Sequence, residues 1–219
     1  KLTREIIVAV REGGSNPEAN FRLRLAIQKA RDSNMPLDNI ERAVKRGSGE
    51  LEGVTLVEMT LEGYGHGGTA ILVQALTDNR NRTLQDVRNL FTRNGSSLGE
   101  SGCVAWLFDS KGLITIDTNN LDADELALKA IDVGAEDVKV ENGYVEVYTQ
   151  PGKLESVRAA LGQEDVPVTS AEVTMVPKTT VGLEDNMALQ TLKLLEKLEE
   201  LDEVQSVASN ADFSDAVLE

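Results

Sequence analysis

Along the first 50 residues, apolar side chains return every three to four positions, the period of an amphipathic helix. In "LTREIIVAVREGG" the residues Leu2, Ile6, Ala9 and Val10 share one stripe, and Gly13-Gly14 ends it. "SNPEANFRLRLAIQKARDSN" predicts a second helix, capped by Asn16 or Asn20, with Phe21, Leu25, Ala26 and Ala30 inward. A third, "PLDNIERAVKRG", follows Met35-Pro36, buries Ile40, Ala43 and Val44, and stops at Gly47; "GSGELEG" then reads as a linker.

Beyond the linker the period shortens to two. "VTLVEMTLE" alternates, "TAILVQAL" is a continuous apolar run, and the pair flank a glycine-rich loop as an antiparallel hairpin. In "TLQDVRNLFTRNG" Thr83 and Asp86 have capping-box spacing, Leu84, Val87 and Leu90/Phe91 form the stripe, and Gly95 closes the helix. "SGCVAWLF" reads as the next strand, with Cys103 as a small buried side chain. From residue 111 the pattern is strand "GLITID", helix "DADELALKAIDVG" with Leu126, Ala130 and Ile131 inward, and a hairpin about Asn142-Gly143. A helix bearing Leu154, Val157 and Leu161 and the strand "VTSAEVTMVP" complete a βαββαβ ferredoxin-like unit. The tail predicts a helix with Ala188, Leu192, Leu195 and Leu198 on one side and a short strand over Val204 to Val207. Residues 54–108 lack one helix and one strand, and the tail supplies both.

The expected class is therefore α+β: a helical N-terminal domain over 1–52, a discontinuous ferredoxin-like domain over 53–110 plus 180–219, and an inserted ferredoxin-like domain over 111–179. No apolar run approaches the roughly 18 residues of a membrane span, and no signal peptide is visible. The opening at Lys1, inside a helical pattern, leads us to expect preceding sequence. One cysteine excludes an internal disulfide and suits a reducing compartment; one cysteine with one histidine makes no usual zinc site, so no metal or cofactor is expected.

Charge changes the picture. The net charge of −15 opposes a polyanionic partner, but residues 1–50 hold ten Lys/Arg against seven Asp/Glu, whereas 111–219 hold eight against twenty-three. Eleven of the twelve arginines lie between Arg4 and Arg93. Arginine binds phosphate bidentately and stacks on bases, which makes Arg22, Arg24, Lys29, Arg31, Arg42, Lys45 and Arg46 candidate nucleic-acid contacts. The alternative is plain helix surface, with Lys45-Arg46 answering the dipole of a helix end.

The loop Gly63, Tyr64, Gly65, His66, Gly67, Gly68 invites a dinucleotide reading, but that motif must open a helix and this one leads into a strand. His66 has no nucleophile or orienting partner in sequence, so catalysis is not expected. In "TDNRNRT", Asn79, Arg80, Asn81 and Arg82 sit by a helix N-terminus, whose free N–H groups favour anions. The competing reading is a turn whose arginines pair with carboxylates such as Asp86.

"NMPLDNIERAVKRG", "EGYGHGGTAILVQALTDNRNRT", "GSSLGESGCVAWLF" and "TSAEVTMVPKT", in this order over nearly the whole chain, resemble the YebC family, also called the YebC/PmpR regulators. The resemblance implies three α+β domains without enzymatic activity, the last two ferredoxin-like and set about a cleft. It also implies a partner that is DNA, for the transcriptional regulators, or the ribosome. Relatives in translation include a mitochondrial activator of cytochrome c oxidase subunit I synthesis and bacterial proteins that relieve stalling. Two departures stand out: the family's basic "GHSKW" opening is absent, and His66 occupies a loop position that is often proline. The expectation is a cytoplasmic bacterial regulator, or a mitochondrial one if the source is eukaryotic. It would be monomeric and bind DNA or ribosomal RNA; the rival is a protein-interaction scaffold.

Overall fold

The computed structural model describes residues 1–53, 55–119 and 121–218; Val54, which opens the first expected strand, and Glu219, the last of the tail, lie outside them. The chain forms two compact units, one of Lys1–Phe108 with Pro177–Glu219 and one of Asp109–Val176.

The first unit begins with α1 (Leu2–Gly13), α2 (Phe21–Asp32) and α3 (Leu37–Ser48). Their shared core is Ile6, Ala9 and Val10 with Leu23, Ala26, Ala30, Ile40 and Ala43. Leu23, rather than Phe21 or Leu25, heads the inward stripe of α2. The cause is Asn20, whose oxygen accepts from Leu23 N at 3.0 Å while its amide donates to Ala9 O at 2.7 Å and Gly14 O at 2.8 Å. This cap sets the rotation of α2 against the end of α1. α3 runs past Gly47, where a Cβ would come within 2.6 Å of Val10 Cβ, and ends on Gly49 with φ 85°. Gly47 is thus a site of close helix approach instead of a stop.

The sheet of this unit contains β1 (Val57–Tyr64), β2 (Ala70–Thr77), β3 (Ser97–Leu98) and, near the C-terminus, a strand at Val204–Ser209. Helix α4 (Arg80–Arg93) lies between β2 and β3 in the chain. In the second unit, β4 (Phe108–Asp117, its first residue belonging to the first unit), α5 (Ala123–Asp132), β5 (Asp137–Glu141), β6 (Tyr144–Thr149), α6 (Leu154–Gln163) and β7 (Val168–Pro177) follow. The chain then returns through β8 (Val181–Gly182), α7 (Asp185–Glu200), β9 (the strand at Val204–Ser209), β10 (Ala211–Asp212) and α8 (Asp215–Leu218).

The four-stranded sheet of the first unit has the order β3-β1-β2-β9, with neighbouring strands antiparallel, and β8 and β10 form a separate parallel pair. The order differs from that of the second unit in that the β1–β2 hairpin supplies both inner strands, and α4 and α7 each lead the chain to an edge strand, β3 and β9. Leu61, Ile71 and Val73 pack against Val87 and Phe91 of α4 and Leu194 and Leu198 of α7. The buried stripe of α7 is Ala188, Thr191, Leu194 and Leu198, which displaces Leu192 and Leu195 to its flanks. Thr191 can sit inside because its hydroxyl donates to Met187 O at 2.8 Å.

The expected strand over 101–108 is not there. Residues 101–104 turn, Ala105–Leu107 make a 3₁₀ turn, and the strand starts only at Phe108; Cys103 is half-buried while Val104 and Phe108 are buried. Apolarity alone misled, because these residues' N–H groups go to a side chain instead of a sheet ladder, as described below.

The second unit has strand order β5-β6-β4-β7, the ferredoxin-like arrangement, with Gly143 at φ 91° in the β5–β6 turn. Leu126 and Ala130 of α5 are buried, but Ile131 is 54% exposed, against expectation. It lies a further 100° round the helix from Ala130, off the narrow stripe that a ten-residue helix offers the sheet. No helix among the described residues is long and apolar enough to cross a membrane.

Candidate nucleic-acid interface

The glycine loop is a tight hairpin connection. β1 runs through Tyr64, and His66–Gly68 form one 3₁₀ turn with Gly67 at φ 65° and Gly68 at φ 73°. Gly65 N donates to Thr69 O at 2.8 Å, and Thr69 Oγ1 donates to His66 O at 2.9 Å. At Gly63 a Cβ would come 2.4 Å from Phe91 Cε1 and 2.7 Å from Ser97 O, so this glycine serves close packing of α4 on the hairpin. His66 Nε2 is buried with no hydrogen-bond partner among the described residues. The loop leads into β2 and opens no α-helix.

Beside it lies a carboxylate that pattern reading did not single out. Glu62, inside β1 and 5% exposed, accepts from Gly102 N at 2.7 Å, Val104 N at 2.8 Å and Ala105 N at 2.7 Å. Burial pushes its carboxyl upward, and the three backbone donors overcome this and hold it below the ordinary carboxylate range. Its own carbonyl accepts from Gly99 N at 2.8 Å. The 99–105 loop is thus folded onto one side chain. The strand's alternation gave no signal for it, because Glu62 shares the outward side of β1 with Glu58 and Thr60, opposite Leu61 and Gly63, and is buried only by the 99–105 loop folded over it.

The "TDNRNRT" segment is helix from Arg80 onward, one turn earlier than Thr83 would set it. Asn79 is the cap, its Oδ1 accepting from Arg82 N at 3.0 Å, and Thr83 is buried, donating to Thr77 Oγ1 at 2.8 Å. Asn outcompetes Thr here because Asp78-Asn79 already leaves β2 through a turn that Thr77 Oγ1 closes on Asn79 N at 2.9 Å. The two arginines then part company. Arg82 pairs with Asp78 at 2.8 Å and Glu203 at 3.3 Å, and Glu203 also meets Arg4 at 3.5 Å; Asp86 is not among its partners. Arg80 is exposed and has no hydrogen-bond or carboxylate partner among the described residues, and Asn81 is exposed beside it. Further along α4, Arg88 and Arg93 are exposed and equally unpartnered through their side chains. Sequence reading passed over these two, although both lie on the polar side left by Leu84, Val87 and Phe91.

The helical layer divides the same way. Arg22 is met by Glu5 at 2.8 Å, by Glu12, and by Glu58 of β1 at 2.8 Å. Half-burial works against its charge, and the bonds to Glu5 and Glu58 more than reverse this, so its pKa rises. Arg24 donates to Pro17 O and Glu18 O and lies 5.9 Å over the Phe21 ring. Lys29 is also engaged, and Arg42 is turned back onto Asp38 O at 3.2 Å and Asn39 at 3.1 Å. Arg31, Lys45 and Arg46 are exposed without a side-chain partner among the described residues. The structure thus brings Arg22, Arg24, Lys29, Arg42 and Arg82 into internal contacts and leaves Arg31, Lys45, Arg46, Arg80, Arg88 and Arg93 facing solvent. Among the described residues, no three His, Cys, Asp or Glu side chains converge as metal ligands would.

A helical layer preceding two four-stranded sheets, each with two helices of its own, defines an α+β protein. Residues 1–50 match the family model described as the TACO1/YebC protein N-terminal domain, and residues 56–211 match the model for the TACO1/YebC second and third domain. The chain belongs to the TACO1/YebC family. It is 60% identical over 219 residues to a "Probable transcriptional regulatory protein" of Dehalococcoides mccartyi, covering all of this chain and 87% of that one. A protein so named in Natranaerobius thermophilus is 53% identical over 222 residues, with 100% and 89% covered. A crystal structure of a conserved hypothetical protein from Aquifex aeolicus superposes with TM-score 0.92 at 48% identity, covering 100% of this chain and 90% of that one.

Proposed function

We propose that this protein regulates gene expression by binding nucleic acid, without catalysis and without metal or cofactor. The contacts are the solvent-facing cations of the first unit: Arg31, Lys45 and Arg46 on the helical layer, and Arg80, Arg88 and Arg93 on α4. One observation carries the reading. In a chain of net charge −15, these six side chains have no carboxylate or hydrogen-bond partner among the described residues, although acids outnumber bases 37 to 22. Guanidinium groups left unpaired under such an excess of carboxylates are available to phosphate.

The chain works as three parts, with 1–52 and 53–110 plus 180–219 meeting the polymer and the acidic 111–179 repelling it, which limits indiscriminate binding. Like-charge repulsion disfavours long contact with duplex DNA more than a local grip on RNA in a nucleoprotein, so ribosomal RNA is the preferred target, met by a cytoplasmic monomer. The relatives' description as probable transcriptional regulatory proteins favours DNA instead. Binding of labelled ribosomal RNA fragments and of promoter-length duplex, titrated with salt, separates the two. The expected result is tighter RNA binding with a clearly negative log–log salt slope. Tighter duplex binding would restore the DNA target, and absence of binding to either would leave the protein-interaction scaffold.

A further inference from the structure

The chain has one tryptophan, and it is 65% exposed. Burial of a Trp side chain removes on the order of 200 Å² from water, so a tryptophan left facing solvent forgoes a large stabilisation. Here the exposed ring is hydrogen-bonded to the backbone. Trp106 Nε1 donates to Cys103 O at 3.1 Å, and the Tyr64 hydroxyl donates to the same carbonyl at 3.4 Å from the end of β1. Tyr64 is 40% exposed, so two aromatic rings tethered to one oxygen both meet solvent. The carbonyl is itself fixed, because the buried Glu62 carboxylate binds the N–H groups of Gly102, Val104 and Ala105 on both sides of it. On the next residues, the Lys178 ammonium donates to the Trp106 backbone carbonyl at 2.8 Å and Lys178 N to Leu107 O at 2.9 Å, placing a positive charge on the backbone of the tryptophan.

We infer that Trp106, flanked by Tyr64 and Lys178, is a stacking platform for an unpaired base of single-stranded RNA. The inference rests on the nucleic-acid reading above and adds a site to it. Pre-oriented aromatic faces with a neighbouring cation are the chemistry that holds splayed bases and the phosphate next to them. A duplex keeps its base faces stacked inside and offers this ring nothing comparable. The buried glutamate explains itself in the same terms, since a loop whose only task was to connect β3 to β4 would not need a carboxylate with three donors under it.

The lone tryptophan makes the test direct. Emission of the 219-residue chain is followed while a single-stranded RNA 12-mer, or the same strand annealed to its complement, is added, and anisotropy of the labelled strand gives affinity independently. The 12-mer quenches Trp106 saturably with the Kd found by anisotropy, and the duplex quenches little. Trp106→Ala weakens single-strand binding roughly 5- to 150-fold, from about 1–3 kcal/mol per stacked base, and Trp106→Phe, which keeps a π face, restores most of it. Binding by anisotropy with no quench, or with equal affinity in Trp106→Ala of unchanged melting temperature, overturns the platform and leaves the nucleic-acid reading intact. No binding of any strand by the unaltered protein overturns both. A blue shift that grows with protein concentration alone would assign the ring to a second copy and also overturn the proposal.

Discussion

Two arginine-bearing regions of the first unit look alike in sequence and differ in structure. Where α1, α2 and β1 meet, Arg22 is enclosed by Glu5, Glu12 and Glu58, and its guanidinium serves to join a helix layer to a sheet. Along α4, Arg80, Arg88 and Arg93 meet no carboxylate among the described residues. Even within "RNR" the division holds, since Arg82 is tied to Asp78 and Glu203 while Arg80 is not. Arginine density therefore says little about an interface; what matters is how many carboxylates the fold brings to each guanidinium.

The contrast can be broken most severely from the carboxylate side. Glu62→Gln keeps the shape but replaces an acceptor oxygen with a donor facing backbone N–H groups. Unfolding free energy is expected to fall by about 2–4 kcal/mol, read by urea denaturation, with loss of the fixed Trp106 emission spectrum. The same residue gives a pH signature. Its folded-state pKa is depressed, so its contribution is complete above the unfolded value of about 4.3 and is lost as pH falls through the lower folded value. The native protein should lose stability more steeply below about pH 4.5 than the glutamine variant does.

Next in size is the combined change Arg80→Ala, Arg88→Ala and Arg93→Ala. Three lost contacts flatten the salt slope by about 2 on single strands, on the order of a fiftyfold loss of affinity at 0.15 M salt, with the melting temperature nearly constant. Arg22→Ala should do the reverse, leaving three carboxylates bunched together. Stability falls by about 1–2 kcal/mol, discounted because the side chain is partly exposed, and affinity falls less than twofold. Arg82→Ala is smaller still: its two pairs are half-exposed, so about 0.5 kcal/mol is expected by calorimetry, with little change in binding.

Much of this fold could be read from periodicity because most elements carry a strong one. The βαββαβ order of the second unit and the Asn142-Gly143 hairpin are local signals, each resting on a few neighbouring residues. What could not be read depends on partners distant in the chain. The strand expected over 101–108 dissolved because Glu62, forty residues earlier, takes its N–H groups. The cap moved from Thr83 to Asn79 because Thr77 engages both sides of the turn. Among the candidate contacts, residue type marked Arg22 and Arg31 equally, and only the positions of Glu5, Glu12 and Glu58 distinguish them. Arg88 and Arg93 were hidden for the opposite reason, as ordinary polar-face residues of a helix whose significance is the absence of a neighbour.

The most direct measurement is the salt dependence of single-stranded RNA binding for the α4 triple variant beside Arg22→Ala. Sorting of arginines into structural and phosphate-facing groups predicts a slope shallower by about 2 for the triple variant and an unchanged slope for Arg22→Ala. Equal slopes in all three proteins, or a shallower slope for Arg22→Ala alone, would contradict it.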